Sequence, residues 1–410
     1  MTSDTESQNQ NTEQRRVEFN FPLLIVRTKR FSFIFDKLGS FRSSRYISWI
    51  FLVLVPFVAG IALYLIVNSL IGLLNNPAIG QVARDLGPGT ILLLPGINPI
   101  LPVFYGWIAI VLAIAIHEGA HGVIARNVGL NVKSSGLLFF LIIPIGAFVD
   151  VDEEQIKKAK PRSSLKVMAA GVGGNIIVGA VCLLSVLVLV GGLSPIIDGG
   201  VYVGEVTQSM PAQAAGLLPK DVIVSIDNII IDNSTELRAL LDTKTAGDTV
   251  NVTVARGESW QYRFSTIVNL TVSENRTVMG ISAGDLITEE RLQYYQTFSL
   301  DKLSLYIVPP TLASAIVPFS DSLAMFYSSP IPYWNVIANV LFWVWFVNFN
   351  VAIFNALPLY PLDGGRIFNI TLKKLVGRRV SERAIYLTTL AATAVCIVLI
   401  LSITVLPFII

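Results

Sequence analysis

Residues 104–125 read FYGWIAIVLAIAIHEGAHGVIA. An uncharged run from Phe104 to Ile116 leads without a turn signal into His117-Glu118-Gly119-Ala120-His121. The stretch is long enough for a helix through a bilayer core, which takes about 20 apolar residues. On a helix, residues four apart lie one above the other on the same face. His117 and His121 are therefore stacked, and two imidazoles so placed can take adjacent corners of a tetrahedral zinc, with Glu118 placed to act on a bound water. Three ionisable residues in five positions are costly in hydrocarbon and imply a polar cavity shielded by protein. The alternative is an interfacial polar cluster at a helix end. Against it, the chain has only two histidines, and both fall in this motif.

The rest of the chain supports a membrane setting. Of 410 residues, 53% are hydrophobic and only 14% charged, too little charge to cover a soluble protein of this size. Tyr46 to Ala83, Leu86 to Ile116, Val167 to Ile197, Ser322 to Leu362 and Ala384 to Ile410 hold no Asp, Glu, Lys or Arg. Spans are expected at Tyr46 onward, Phe104–Ala125, Val167–Val190, Trp334–Leu357 and Ala384–Pro407. Cys182 and Cys396 lie in apolar stretches, which excludes a disulfide framework or a Cys-based metal site. A net charge of +2 gives no reason to expect a nucleic-acid partner.

Basic residues set the expected topology. Arg27, Lys29, Arg30, Lys37, Arg42 and Arg45 precede the first span, which places the N-terminal segment, 1–45, in the cytoplasm. A second basic group, Arg126 to Lys166, and a third, Arg366 to Arg383, fall on the same side. The first 15 residues are polar and read as disordered, and no cleavable signal peptide is visible. Residues 46–197 then form the first part of a membrane domain, and 334–410 the second. Gly136 to Val149 is apolar but too short to cross, and Pro144 and Gly146 argue against a helix. It reads either as a re-entrant hairpin facing the site or as an amphipathic inner-leaflet loop.

Between the two membrane parts, 198–285 changes character. Val250-Asn251-Val252-Thr253-Val254 alternates as a half-buried strand does, and Ser234 to Leu241 reads as a short helix with a Ser cap. Four N-glycosylation tripeptides, at Asn233, Asn251, Asn269 and Asn275, fit an external domain. Residues 286–333 form a connection in which Leu303 to Ser320 is apolar but short and broken by Pro309-Pro310. Because spanning would invert the topology downstream, it is expected to be interfacial or re-entrant.

Zinc needs a third protein ligand and an open position. With no further His, a carboxylate is expected, and Asp363 lies just beyond the Trp334–Leu357 span at the depth of His121. An Asp-Gly pair is also a common turn signal. Asn175, in Ala170-Gly171-Val172-Gly173-Gly174-Asn175, could contact the substrate backbone or a developing oxyanion. It could equally be an interhelical contact among small residues, Gly171, Gly174 and Gly179, that let helices approach.

Together the His117–His121 motif, the Asn-x-x-Pro-x-x-x-x-Asp-Gly pattern at Asn355, Pro358, Asp363 and Gly364, and the Asn175 motif resemble the site-2 protease family of intramembrane zinc metalloproteases. Leu94-Pro95-Gly96-Ile97-Asn98 and Pro144 to Asp150 resemble its eukaryotic and archaeal branch. The resemblance implies one Zn²⁺ held by His117, His121 and Asp363, Glu118 as catalytic base, and Asn175 as a substrate or oxyanion contact. Asn355, Pro358 and Gly146 are expected to bind substrate. Residues 198–285 resemble a PDZ domain, chiefly through Val203-Gly204-Glu205-Val206 and Ser209 to Leu217, although Lys220 stands where that family usually has Gly. Such a domain could bind the external ends of substrates or exclude bulky ones.

The expected fold is thus a polytopic α-helical membrane protein of five or six spans, with an inserted small α/β PDZ-like domain and a re-entrant β-hairpin-like segment. The expected activity is cleavage of transmembrane segments of membrane proteins already trimmed by another protease, with the centre toward the cytoplasm. A PDZ-bearing scaffold would differ by lacking zinc. A transporter would show an inverted repeat, and none is visible between the halves.

Overall fold

In the computed structural model, residues 17–409 are described except 29–31, 142, 198, 274–275, 287–288, 298, 300–301, 315 and 378. The polar residues 1–15, Lys29, Arg30 and the glycosylation candidate Asn275 lie outside the described residues. The chain forms two compact units, Met1–Leu183 with Val340–Ile410, and Leu184–Asn339.

The first unit opens with strands β1 (Val17–Asn20) and β2 (Leu23–Thr28) and helices α1 (Ser32–Ser40), α2 (Arg42–Asn75), α3 (Pro77–Leu86) and α4 (Val103–Asn127). The 34 residues of α2 give it a length of roughly 50 Å, well beyond a hydrocarbon core of about 30 Å. One face of α4 buries Gly106, Ala109, Ala113, His117, His121 and Ala125, so a stripe of small residues continues directly into the histidines. The helix stops at Gly129, whose φ of 83° lets Leu130 N–H reach Ala125 O and Gly129 N–H reach Arg126 O. This is a Schellman closure, which favours glycine because no Cβ opposes a positive φ.

Strands β3 (Val132–Phe140) and β4 (Ile143–Val151) follow, then α5 (Glu153–Lys158) and α6 (Pro161–Gly191). The apolar segment around Pro144 and Gly146 is thus a β-hairpin, longer than Gly136 to Val149. It belongs to a four-stranded antiparallel sheet in the order β1-β2-β3-β4. The N-terminal segment, expected to be only a basic cytoplasmic stretch, supplies two of these strands. Leu23 pairs with Phe140 and Thr28 with Ser135. Strand β4 lies against α4, and a Cβ at Gly122 would touch Phe35 of α1 at 3.0 Å and Val149 of β4 at 3.1 Å.

The second unit contains β5 (Ser194–Pro195), β6 (Val201–Val206), α7 (Pro211–Ala214), β7 (Val222–Ile226), β8 (Ile229–Ile230), α8 (Ser234–Asp242), β9 (Thr249–Arg256), β10 (Tyr262–Asn269), β11 (Thr271–Ser273), β12 (Arg276–Val278), β13 (Ile281–Asp285), α9 (Glu289–Gln296), α10 (Leu303–Ile307) and β14 (Tyr327–Ser328). Its main sheet runs β10-β9-β7-β6-β13, with β8 on β7. The alternation read in residues 250–254 is present: Val250, Val252 and Val254 of β9 face a core shared with Val203, Ile226 and Val268. Asn233, not Ser234, caps α8 by accepting the Glu236 N–H at 2.9 Å. Lys220 takes a φ of 76°, the left-handed conformation for which glycine is usual. Beside it, the buried Asp221 carboxylate receives both Arg256 Nε and Nη2 at 2.6 Å, the forked geometry that makes such a pair strong. Between 303 and 320 the described residues form only the five-residue α10 and turns, with no spanning helix.

The chain then completes the first unit through α11 (Trp334–Ala356), α12 (Asp363–Val376) and α13 (Glu382–Val405). Among the described residues, five helices are long and apolar enough to cross a membrane: α2, α4, α6, α11 and α13 with its short C-terminal extension. They match the five expected spans. The core of this unit gathers Ile124 and Ala125 of α4, Val167 to Ala170 of α6, and Ile353, Ala356 and Leu357 at the end of α11. It fixes three chain segments at one level.

Candidate metal centre

That core brings His117, His121 and Asp363 together. Asp363 Oδ2 lies 3.1 Å from His117 Nε2 and 3.1 Å from His121 Nε2. The three donor atoms all fall within 4.8 Å of one another. Each side chain is largely buried, with 11–13% of its surface exposed. Asp363 is the first residue of α12 and follows the break that Pro358 and Pro361 make after α11. The two glycines after it are needed by the packing. A Cβ on Gly364 would overlap the carbonyls of Leu357 and Ala356, and one on Gly365 would overlap the backbone at Leu359 and Tyr360.

The donor set fits a zinc ion. His121 Nδ1 lies 2.7 Å from Val167 O, which can only accept, so Nδ1 carries a proton and Nε2, facing Asp363, is the nitrogen left to take a metal. A lone pair and a carboxylate oxygen at 3.1 Å repel unless a cation or proton lies between them. Zinc bonds of about 2.0–2.1 Å in a tetrahedron would set donors roughly 3.3 Å apart, close to the separations found. His117 Nδ1 is buried without a hydrogen-bond partner. The floor of the site is Gly171 of α6. A Cβ there would lie 2.5 Å from His117 Nε2 and 2.6 Å from His121 Nε2, so only glycine leaves both nitrogens free. Gly174 gives similar clearance to Ala120, with a would-be Cβ contact of 2.8 Å.

Glu118 is half-buried, and its Oε2 accepts the N–H of Val149 in β4 at 3.1 Å. The putting-together of motif and hairpin is therefore direct: the edge strand of the sheet is bonded to the glutamate between the histidines. Asn175 is fully buried. Its Nδ2 donates to Ala113 O of α4 at 3.4 Å, one turn before His117, while Oδ1 has no partner. The interhelical contact read from the sequence is present in α6 and α4.

Asn355, Pro358 and Gly146 make their contacts elsewhere. Asn355 Nδ2 bonds back to Val351 O at 3.0 Å, the Pro358 carbonyl shares the Thr393 hydroxyl proton with Thr389 O, each at 3.0 Å, and Gly146 sits opposite Leu138 in the hairpin. Thr393 of α13 escaped the sequence reading. Its hydroxyl lies 3.0 Å from Pro358 O and accepts the Tyr360 N–H at 2.9 Å, pinning the loop that delivers Asp363. The signal available was Thr389 and Thr393, four apart in an apolar span, both buried. The Val167 carbonyl and the Val149 N–H, being backbone groups, carry no sequence signal.

Over 349 residues the chain is 26% identical to an uncharacterized protein of Methanocaldococcus jannaschii, covering 84% of this chain and 76% of that one. A putative zinc metalloprotease of Nostoc is 24% identical over 66% of this chain and 85% of its own length. A membrane-bound transcription factor site-2 protease homolog of Arabidopsis thaliana is 27% identical over 39% of this chain and 30% of its own. Among solved structures, the PDZ domain of an SdrC-like protein from Listeria monocytogenes covers 21% of this chain and 90% of that chain, at 27% identity and a TM-score of 0.19. The model of Peptidase family M50 matches residues 105–399, from near the start of the motif helix into the last span. This chain belongs to Peptidase family M50.

Proposed function

We propose that this protein is a zinc-dependent endopeptidase that cleaves membrane-protein substrates within the bilayer. The observation that carries the reading is the convergence of His117, His121 and Asp363, two of them on a helix long and apolar enough to span a membrane. One zinc per chain, held by these three, would supply Lewis-acid polarisation and lower the pKa of a water. Glu118, one residue along from His117, takes a proton from the attacking water and returns it to the leaving amine. Asn175 is assigned to substrate or oxyanion contact, and Asn355, Pro358 and Gly146 to the substrate path.

A helical substrate hides its carbonyls in its own hydrogen bonds and must unwind to be cut. Strand β4 is the edge of its sheet, because β3 occupies its other side. An unwound segment can add to that edge as a further strand, next to Glu118. Substrates are membrane proteins with helix-weakening residues, trimmed first by another protease. The domain at 198–285 is assigned to the external side, as a PDZ-like module that binds or filters substrate ends, with the metal centre toward the cytoplasm.

The test is proteolysis by purified Glu118→Gln loaded with zinc. Activity should fall by at least about a hundredfold, the lower range for loss of a general acid–base, with zinc content unchanged. Cleavage at the wild-type rate would sink the assignment of Glu118. Absence of stoichiometric zinc in the wild type would favour a scaffold.

A further inference from the structure

A cavity of about 480 Å³ lies away from the candidate metal centre, where α1, the start of α2 and the end of α4 meet. Its lining includes Arg42, Arg45, Arg126, Asp36, Asn127 and Asn131. Arg126 is held in place by Asp36, at 2.9 Å from Nε, and by Asn131, at 3.3 Å from Nη1. Asn127 ties α4 to α1 through Gly39 O at 2.8 Å. Arg42 and Arg45 have no acidic partner among the described residues, and the one carboxylate in the lining is already used by Arg126. The wall thus carries three guanidiniums against one carboxylate.

The surroundings say which anion suits it. Arg42, Arg45 and Trp49 are spaced three and four apart, hence on one face of α2. The Lys166 ammonium of α6 sits 4.0 Å from the Trp49 ring. Lys166 is only 9% exposed and has no acidic partner among the described residues, so a fourth cation is buried beside the same face. Directly after Arg45 the charge-free stretch begins at Tyr46. Phe41, Tyr46 and Trp49 are exposed there, followed by exposed Ile50, Val53 and Phe57. Aromatic side chains of this kind mark the membrane–water boundary, and the apolar residues beyond offer acyl chains a path along α2.

We propose that this cavity binds the phosphate-bearing headgroup of an anionic phospholipid, with Arg42, Arg45 and Arg126 as the phosphate-binding groups. Basic pockets between spans at a membrane surface take such headgroups, and the guanidinium fork matches phosphate geometry. Arg126 lies five residues beyond His121, so an occupied site also braces the end of the helix that carries the histidines. Such a site needs α2 to enter a membrane at Tyr46 and would exist whether or not the protein is a peptidase.

The test uses the full chain in nanodiscs of phosphatidylcholine alone or with added phosphatidylglycerol, with retained lipid measured by native mass spectrometry. Wild type should retain phosphatidylglycerol in preference to phosphatidylcholine. Arg42→Gln/Arg45→Gln should weaken that retention at least tenfold while keeping wild-type zinc content, which reports on folding. Lys157→Gln/Lys160→Gln removes two exposed cations outside the cavity and should leave retention within a factor of three. Equal losses in both double variants would mean diffuse attraction and overturn the site. Full displacement of phosphatidylglycerol by soluble glycerol phosphate would make it a free-phosphate site and overturn the lipid assignment.

Discussion

At the scale of single residues, the candidate metal centre depends as much on missing atoms as on donor side chains. Gly171 is the clearest case, because its absent Cβ leaves room for both imidazole Nε2 atoms. Gly171→Ala should displace one ring and cut zinc affinity at least tenfold, in the range of changes around metal ligands. Equilibrium dialysis against labelled zinc would measure it. Gly119→Ala is the matched control, since nothing lies within 4 Å of a Cβ there and alanine favours helix by about 1 kcal/mol. Equal affinity in Gly171→Ala and wild type would contradict the geometry. Thr393 acts one step further away, through the loop. Thr393→Val removes the hydroxyl that accepts from Tyr360 N–H and leaves that N–H without its partner, at a cost of about 1–3 kcal/mol. The expected outcome is weaker zinc binding with an unchanged pH profile of cleavage. A shifted profile would give Thr393 a direct role in proton transfer instead.

At the scale of elements, the sheet is the part of the first unit that single segments do not announce. Gly136 of β3 faces the Val26 carbonyl of β2, and a Cβ there would also meet Phe148 Cζ of β4 at 2.6 Å. Arg27 of β2 lies over the same Phe148 ring, 5.1 Å from its centroid. Gly136→Ala should therefore loosen β2 from β3 by about 1–3 kcal/mol, the usual cost of overpacking. Hydrogen exchange should show faster exchange in β2 amides with α4 amides unchanged. Unaltered β2 protection would mean that the backbone shifts without loss of pairing. If the edge of β4 receives substrate, the same variant should lower cleavage without lowering zinc content.

At the scale of the whole molecule, the candidate metal ligands His117, His121 and Asp363 join α4 to α12, elements that lie far apart in the chain. An ion bound only by the folded form stabilises it by about 4 kcal/mol when free zinc exceeds Kd a thousandfold. Chelation should lower the melting temperature of wild type by several degrees. It should leave Asp363→Ala, already destabilised, almost unmoved. A chelator-insensitive wild type would mean that packing of Ile353, Ala356 and Leu357 against α4 and α6 closes the site unaided.

The membrane class, the five spans and the His117–Glu118–His121 face were all legible along the chain. Each of these is a local property: run length, helical spacing, and the scarcity of histidine. The sequence also offered Asp363 and Asn175 through motif resemblance, because their neighbours cannot be computed from spacing along the chain. Tertiary structure alone decided that β1 and β2 complete the hairpin sheet, since Leu23–Thr28 has no alternation and its partner strand is more than a hundred residues away. It likewise decided that Val167 O orients His121 and that Thr393 holds the Asp363 loop. A backbone carbonyl is present at every residue, and a threonine in an apolar helix usually bonds its own turn. Only packing selects the carbonyl that meets His121, and brings the loop at Pro358 and Tyr360 to a threonine that also reaches Thr389 O of its own turn.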